Sequence, residues 1–147
     1  MDYFTQDPPE IQSEFQTGQT LDLYLRRLIP QSQYGSARDR LESMDEISTG
    51  ELWNLLQKTR GREPKLTPWD PWGNRIDNIE EEPLWKRART ISLDFGLSSL
   101  PYEASYGRYS RVVQMALVCL FHPSSGFFTC PLAMTDGAAR TLIESEN

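Results

Sequence analysis

The chain has 147 residues, of which 38% are hydrophobic and 24% are charged, and its formal net charge is −6. This length and composition are typical of one folded domain with a substantial core. The acidic balance disfavours nucleic acid as the main partner, because phosphate binding requires a basic surface.

The chain shows no targeting or membrane-spanning pattern. Its longest apolar run, residues 112–121, contains Gln114 and is too short to cross a bilayer. The first ten residues are polar and acidic, unlike a secretory signal or an Arg-rich transit peptide. We therefore expect an intracellular protein, with cytoplasmic, mitochondrial and peroxisomal residence all open.

Cys119 and Cys130 lie in apolar surroundings without a metal or redox spacing, which predicts buried, reduced thiols.

Helical periodicity dominates the chain. Residues 1–19 contain two prolines and a glycine and are expected to form an irregular arm. Residues 20–147 are expected to form one helical domain, because apolar side chains recur at helical spacing in 21–29, 36–59, 83–95, 104–121, 127–134 and, briefly, 137–144. Whether 36–59 is one helix or two stays open, because Ser48 and Glu51 have the spacing of a capping box. No segment alternates convincingly as a strand, so the predicted fold class is all-α with about five helices.

The C-terminal third is unusually poor in charge. No formally charged side chain occurs between residues 112 and 135, so we expect residues 127–140 to lie at the centre of the core. Pro131 either begins a helix or kinks it. Asp136 is expected to cap a last short helix and to pair with Arg140.

The segment 62–82 is rich in proline and tryptophan and has no helical period. Its apolar side chains, Leu66, Trp69, Trp72 and Ile76, are expected to pack an ordered turn onto the helical body. The alternative is an exposed aromatic surface that binds a ligand.

Catalytic and metal-binding patterns are sparse. The single histidine, His122, follows the apolar helix and favours a structural role over a general base. Cys130 has no evident neighbouring base, and Asp136 suits a helix cap better than a base. These residues alone predict no catalytic residue and no metal site.

One set of motifs is specific enough to indicate a protein family. The segment CPLAMTDGAAR (130–140), preceded by HPSSGFFT, follows LYLRRLIP, PKLTPWDPWGNRID, PLWKRA and YGRYSR in that order along the chain. The set resembles the N-terminal helical domain of the acyl-CoA dehydrogenase superfamily, and most closely its AidB-like branch, over residues 3–144. Members of this superfamily bind FAD between a middle domain and a C-terminal helical domain. A carboxylate base in the C-terminal half removes the α-proton of an acyl-CoA while the flavin accepts a hydride from the β-carbon.

The resemblance implies a role for the uncharged C-terminal segment. Its residues Phe127, Cys130, Pro131, Met134 and Thr135 are expected to form part of the wall of the acyl-chain pocket, since uncharged, small and flexible side chains border an acyl chain without a desolvation penalty. The alternative is that they form the core of the domain.

The chain matches only the first domain of that architecture, so we expect a truncated form or isolated piece without the flavin motif or the base. FAD is then expected in the complete family protein and not in this chain alone. Two alternatives to an incomplete oxidoreductase stay open: a non-catalytic helical interaction module, and a fatty-acyl-binding protein. Uncovered apolar helix faces further predict self-association, or association with related subunits.

Overall fold

The computed structural model describes residues 5–7, 9–18 and 20–145. These residues form seven α-helices and one β-hairpin: α1 Thr20–Leu28, α2 Gln31–Ile47, α3 Trp53–Thr59, β1 Lys65–Trp69, β2 Arg75–Glu80, α4 Pro83–Asp94, α5 Leu100–Glu103, α6 Ser110–Phe121 and α7 Thr129–Ser145. The helical fold class predicted from periodicity is confirmed. None of the described helices is long and apolar enough to cross a membrane.

The hydrophobic core forms around α6, which packs mainly on α2 and α5. Helices α2, α4 and α6 contribute seven of its most deeply buried side chains: Leu41, Met44, Leu84, Ile91, Val113, Leu117 and Phe121. Each large apolar side chain buried there contributes roughly 1.5–3 kcal/mol. The prediction that residues 127–140 lie at the centre of the core is wrong, because only Phe128 joins the core and α7 has no buried residue.

Residues 31–59 follow one continuous helical path. A π-helical turn, Ser48–Leu52, joins α2 to α3, and the backbone stays right-handed helical at both Ser48 and Leu52. Glu51 caps nothing there. Its carboxylate accepts hydrogen bonds from Arg87 of α4 at 2.5 and 2.8 Å, which lower the pKa of Glu51. The sequence left open whether residues 36–59 form one helix or two. In the structure they follow a single helical path that contains a π-helical turn.

The hairpin corrects two sequence predictions. Strands exist where none was expected: β1 and β2 pair antiparallel, with Leu66 opposite Ile79 and Trp69 opposite Arg75. The segment also does not pack onto the helical body, since Trp69 is 55% and Trp72 84% exposed. The alternative, an exposed aromatic surface, agrees with this exposure, while ligand binding by that surface stays a prediction.

Helix α7 is one helix and not two. Asp136 therefore lies in mid-helix and does not cap a last helix, and Arg140 pairs with Glu144 at 2.6 Å instead of with Asp136. Pro131 is the third residue of α7. In this first turn its missing N–H would have had no helical acceptor, so the helix loses no hydrogen bond.

Two further expectations about this region need correction. Helix α6 begins at Ser110 and not near residue 104, because Ala104 adopts a left-handed backbone conformation with φ +52° that ends α5. Both cysteines are free, as expected, but they are exposed and not buried. Cys119 and Cys130 lie on the outer faces of α6 and α7, whose apolar character was mistaken for burial.

Candidate functional site

Four of the residues predicted to border an acyl chain lie on the outer face of α7, and the fifth, Phe127, precedes that helix by two residues. We call Phe127, Cys130, Pro131, Met134 and Thr135 the outward strip. Phe127 is 69% and Met134 72% exposed, Cys130 and Thr135 are also exposed, and Pro131 is half-buried. The Thr135 hydroxyl donates to the Pro131 carbonyl at 2.9 Å, so its polar group is satisfied within the helix. The strip therefore presents an uncharged surface to its surroundings.

Helix periodicity explains why these side chains share one face. Positions 130, 131, 134 and 135 recur every three to four residues and fall on one side of α7. Positions 129, 132, 133, 136 and 137 fall on the opposite side, towards α6. The assignment of the outward strip to a substrate pocket stays a prediction, since none of its residues borders the groove between α6 and α7.

That groove is the second feature of the site. It has a volume of about 370 Å³, and we call it the inner groove. Its lining combines apolar side chains, such as Met115, Val118 and Leu132, with the polar groups of Arg111, Gln114 and Asp136. A mostly apolar cleft with a few convergent polar groups is typical of a small-molecule site.

A polar network spans one end of the inner groove. Arg111 of α6 forms an ion pair with Asp136 of α7 and donates to Gln114 Oε1 at 2.8 Å. The Tyr102 hydroxyl donates to Asp136 Oδ1 at 2.6 Å. Gln114 Nε2 donates in turn to the carbonyl of Leu97 at 2.6 Å. The network thus ties the loop before α5, α5 itself, α6 and α7 together.

Electrostatics keep Asp136 ionised. Burial favours a higher pKa for its carboxyl group, but the hydrogen bonds from Tyr102 and Arg111 outweigh burial and hold the pKa below its usual range. The pKa of Arg111 is raised, chiefly by its hydrogen bond with Tyr102. A general base at a carbon acid works best with a pKa near the working pH. Asp136 is therefore suited to hold α7 in place and poorly suited to abstract a proton.

The other buried carboxylates are also engaged. Asp22 of α1 pairs with Arg26 at 2.9 Å and accepts a hydrogen bond from Tyr34. Asp45 accepts from the Ser13 hydroxyl and from the backbone N–H of Glu14 at 3.2 Å. These contacts anchor α1 and the N-terminal arm to α2, which indicates a structural role for both carboxylates.

A third feature is an open apolar groove between α1 and α6, which we call the outer groove. It has a volume of about 330 Å³ and includes Leu21, Tyr24, Leu28, Val112, Met115 and Cys119 in its lining. The apolar side chains that recur at helical spacing over residues 21–29 are therefore only partly covered: Leu25 is buried, whereas Tyr24 is 59% exposed.

The single histidine, His122, contacts the start of α7. Nδ1 of His122 is hydrogen-bonded to the Thr129 hydroxyl at 2.7 Å, at the start of α7. Within residues 5–7, 9–18 and 20–145, no group of three or more His, Cys, Asp or Glu side chains is placed to hold a metal ion.

Sequence reasoning missed the polar network. One signal was available: Gln114 interrupts the apolar run of α6, and a polar residue on the buried side of a helix requires hydrogen-bond partners. Its partners Arg111 and Leu97 follow from that requirement only once the fold is known. The Arg111–Asp136 pair, 25 residues apart in the chain, had no local sequence signal.

Comparisons with known proteins agree with this architecture. Residues 12–147 match the family described as the adaptive response protein AidB N-terminal domain. Acyl-CoA dehydrogenase family member 11 of Caenorhabditis elegans is 34% identical over 140 residues, which cover 95% of this chain and 23% of that protein.

Two solved structures share the fold. The Bd2924 apo-form has a TM-score of 0.84 and 38% identity, and the match covers 95% of this chain and 28% of that one. The crystal structure of C. elegans ACDH-11 in complex with C11-CoA has a TM-score of 0.83 and 34% identity, covering 96% of this chain and 24% of that one. The chain thus spans about a quarter of the length of these relatives. On the family match and these similarities, the chain belongs to the AidB N-terminal domain family and is related to acyl-CoA dehydrogenase family members.

Proposed function

We propose that this chain is the N-terminal helical domain of an FAD-dependent acyl-CoA dehydrogenase-like oxidoreductase, which removes hydrogen from the α- and β-carbons of an acyl-CoA thioester. Residues 20–147 form the domain and residues 1–19 its N-terminal arm. The proposal includes no catalytic activity for the chain alone. The observation that carries it is α7, a 17-residue helix without a buried residue that exposes the uncharged outward strip.

The chemistry of the outward strip suits an acyl chain. Phe127 and Met134 offer large apolar side chains, and Met adapts its shape to a flexible ligand. Cys130 and Pro131 are both uncharged, so a hydrocarbon chain that lies on the outward strip desolvates no ionic group. A relative solved with C11-CoA bound supports acyl-CoA as the ligand class.

We assign flavin binding to other domains of such a protein, because the polar groups that line the inner groove are already paired and do not fit FAD. The polar groups of the inner groove are engaged with one another: Arg111 with Asp136, and Gln114 with Leu97. Arg140, at the other end of the groove, pairs with Glu144. The groove therefore offers none of these groups to neutralise the pyrophosphate of a dinucleotide.

Methionine methyl groups allow a direct test of the outward strip. The chain has four methionines, of which Met134 lies on the strip, Met115 lines both grooves and Met44 is buried in the core. In a titration of ¹³C-methyl-Met-labelled protein with undecanoyl-CoA, the Met134 signal is expected to shift while Met44 stays constant. Coenzyme A without an acyl chain is the matched control and is expected to leave Met134 unchanged.

The same spectra distinguish the alternatives. A shift of Met115 without one of Met134 would place the acyl chain in a groove and favour a fatty-acyl-binding protein. The absence of any shift with undecanoyl-CoA would contradict the pocket-wall proposal. A non-catalytic interaction module gains support from a different feature, the exposed hairpin.

A further inference from the structure

Two serine side chains are enclosed in the body of the domain. Ser48 begins the π-helical turn between α2 and α3, and Ser124 ends a 3₁₀ turn, His122–Ser124, that follows α6. Their exposed fractions are 1% and 0%. Among the residues that the structure describes, neither hydroxyl oxygen has a hydrogen-bond partner. Buried hydroxyl groups without a partner destabilise a fold and are rare, so both groups require an explanation.

Neighbouring hydroxyl groups show how such a group is usually satisfied. The Thr49 hydroxyl donates to the backbone carbonyl four residues earlier at 2.8 Å. The Ser125 hydroxyl donates to the carbonyl three residues earlier at 3.0 Å. Ser48 and Ser124 each lie one residue before these two, yet neither makes such a bond within the described residues. Their hydroxyl groups are therefore available to a partner outside their own turns.

The two turns that carry these serines pack against each other. One belongs to the helical path over residues 31–59, and the other begins the short connection from α6 to α7. Trp85 of α4 ties that connection to the body further along, because its Nε1 donates to the carbonyl of Gly126 at 2.9 Å. A partner shared by Ser48 and Ser124 ties the connection to the body at a second point.

The chemistry of the two hydroxyls limits what can join them. Each offers one donor and two acceptor positions and carries no charge. Neither serine lines the inner or the outer groove, and both are closed off from solvent, so a large ligand has no access. Water is the smallest molecule that donates and accepts at once, and internal waters typically bond to two to four otherwise unsatisfied polar groups.

We propose that one internal water molecule is bound between Ser48 Oγ and Ser124 Oγ and joins the π-helical turn to the connection before α7. The water donates a hydrogen bond to one hydroxyl and accepts one from the other. It thereby holds the segment that leads to Phe127 and to the start of the outward strip. This inference does not depend on the proposed function.

Thermal melts of alanine variants, followed by circular dichroism, test the site through the sign of the effect. Ser48→Ala and Ser124→Ala are each expected to lower the melting temperature by about 2–6 °C, because each removes a bond to the water. Helix propensity acts in the opposite direction, since alanine favours a helix more than serine does. The double variant is expected to lose no more than the larger single effect, because both changes release the same water.

Ser125→Ala is the matched control. Its hydroxyl is equally buried but is bonded within its own turn, so its effect is expected to add to that of Ser48→Ala. A higher melting temperature in both Ser48→Ala and Ser124→Ala would show that the hydroxyls are unbonded. Fully additive losses in the double variant would show that they have separate partners. Either result would overturn the proposal.

A high-resolution crystal structure of the full chain observes the site directly. The expected result is a single density peak within about 3.2 Å of both Ser48 Oγ and Ser124 Oγ. In crystals of the double alanine variant that peak is expected to be lost. A direct bond between the two hydroxyls, or the absence of a peak in the wild type, would contradict the proposal.

Discussion

Arg111 of α6 and Asp136 of α7 form an ion pair that fastens the last helix to the centre of the domain. The Tyr102 hydroxyl donates to both the carboxylate and the backbone carbonyl of Asp136. Although Leu132 packs against the core, α7 has no fully buried residue, so these polar contacts contribute to its attachment. The position of the outward strip therefore depends on Asp136.

Replacing Asp136 by Asn is expected to lower the free energy of unfolding by about 1–2 kcal/mol, because charged hydrogen bonds to Tyr102 and Arg111 are lost while solvent screens part of the pair. Urea denaturation followed by circular dichroism measures the change. Glu144→Gln is the matched control. It removes the exposed pair with Arg140 and is expected to cost no more than about 0.5 kcal/mol. Equal losses in the two variants would contradict the fastening role.

The same pair predicts an acid-labile contribution. The pKa of Asp136 is lowered in the folded chain, so the unfolded chain binds a proton at this site more readily. Its contribution to stability is complete above the ordinary aspartate pKa of about 4 and is lost as pH falls through the lower folded value. In urea titrations between about pH 6 and pH 3, Asp136→Asn is expected to reduce the fall in stability seen for the wild type. Parallel curves for the two proteins would argue against this.

Two glycines near α7 are expected to respond oppositely to alanine. Gly126 has φ +57°, and an added Cβ would lie 2.5 Å from Leu84 Cδ2, so Gly126→Ala is expected to cost about 1–3 kcal/mol. Gly137 lies within α7 with open space around it, so Gly137→Ala is expected to stabilise the chain by about 0.5–1 kcal/mol. Thermal melts of both variants check the signs, and destabilisation by Gly137→Ala would mean that the α7 backbone differs from that described.

Because α6 lies at the centre of the core, we expect a core substitution in this helix to lower the stability of the chain strongly. Phe121 is fully buried, and Phe121→Ala is expected to cost about 3–5 kcal/mol because it leaves a cavity. Leu93→Ala, on an exposed site, is expected to change stability by less than about 0.5 kcal/mol. A small effect at Phe121 in chemical denaturation would show that the core is centred elsewhere.

Sequence patterns predicted the helices best where a local signal sets both ends. Helix α4 begins at Pro83 and ends before Gly96, and Leu84, Ala88 and Ile91 are buried as their spacing predicted. The hairpin was missed because Pro68 lies within β1 and is unfavourable in a paired strand, and because its apolar residues do not alternate against a buried face.

The charge-poor segment, residues 112–135, shows a different limit of prediction from sequence. Absence of charge around Met134 indicates a surface kept from water, but it does not identify what covers that surface. A core position was inferred, whereas the structure leaves α7 open on its outer side. Pairing of Asp136 with Arg140 was inferred from spacing, yet Arg111 is its partner through tertiary structure, which local reasoning does not supply.

The most direct measurement for the central claim is an absorbance spectrum of the purified chain after incubation with excess FAD and desalting, taken together with its far-UV circular dichroism. A helical circular dichroism signal without retained flavin absorbance is the result predicted for the N-terminal helical domain of a larger flavoprotein. Flavin retained at one equivalent per chain would contradict the account, because it would mean that these helices contain a complete cofactor site.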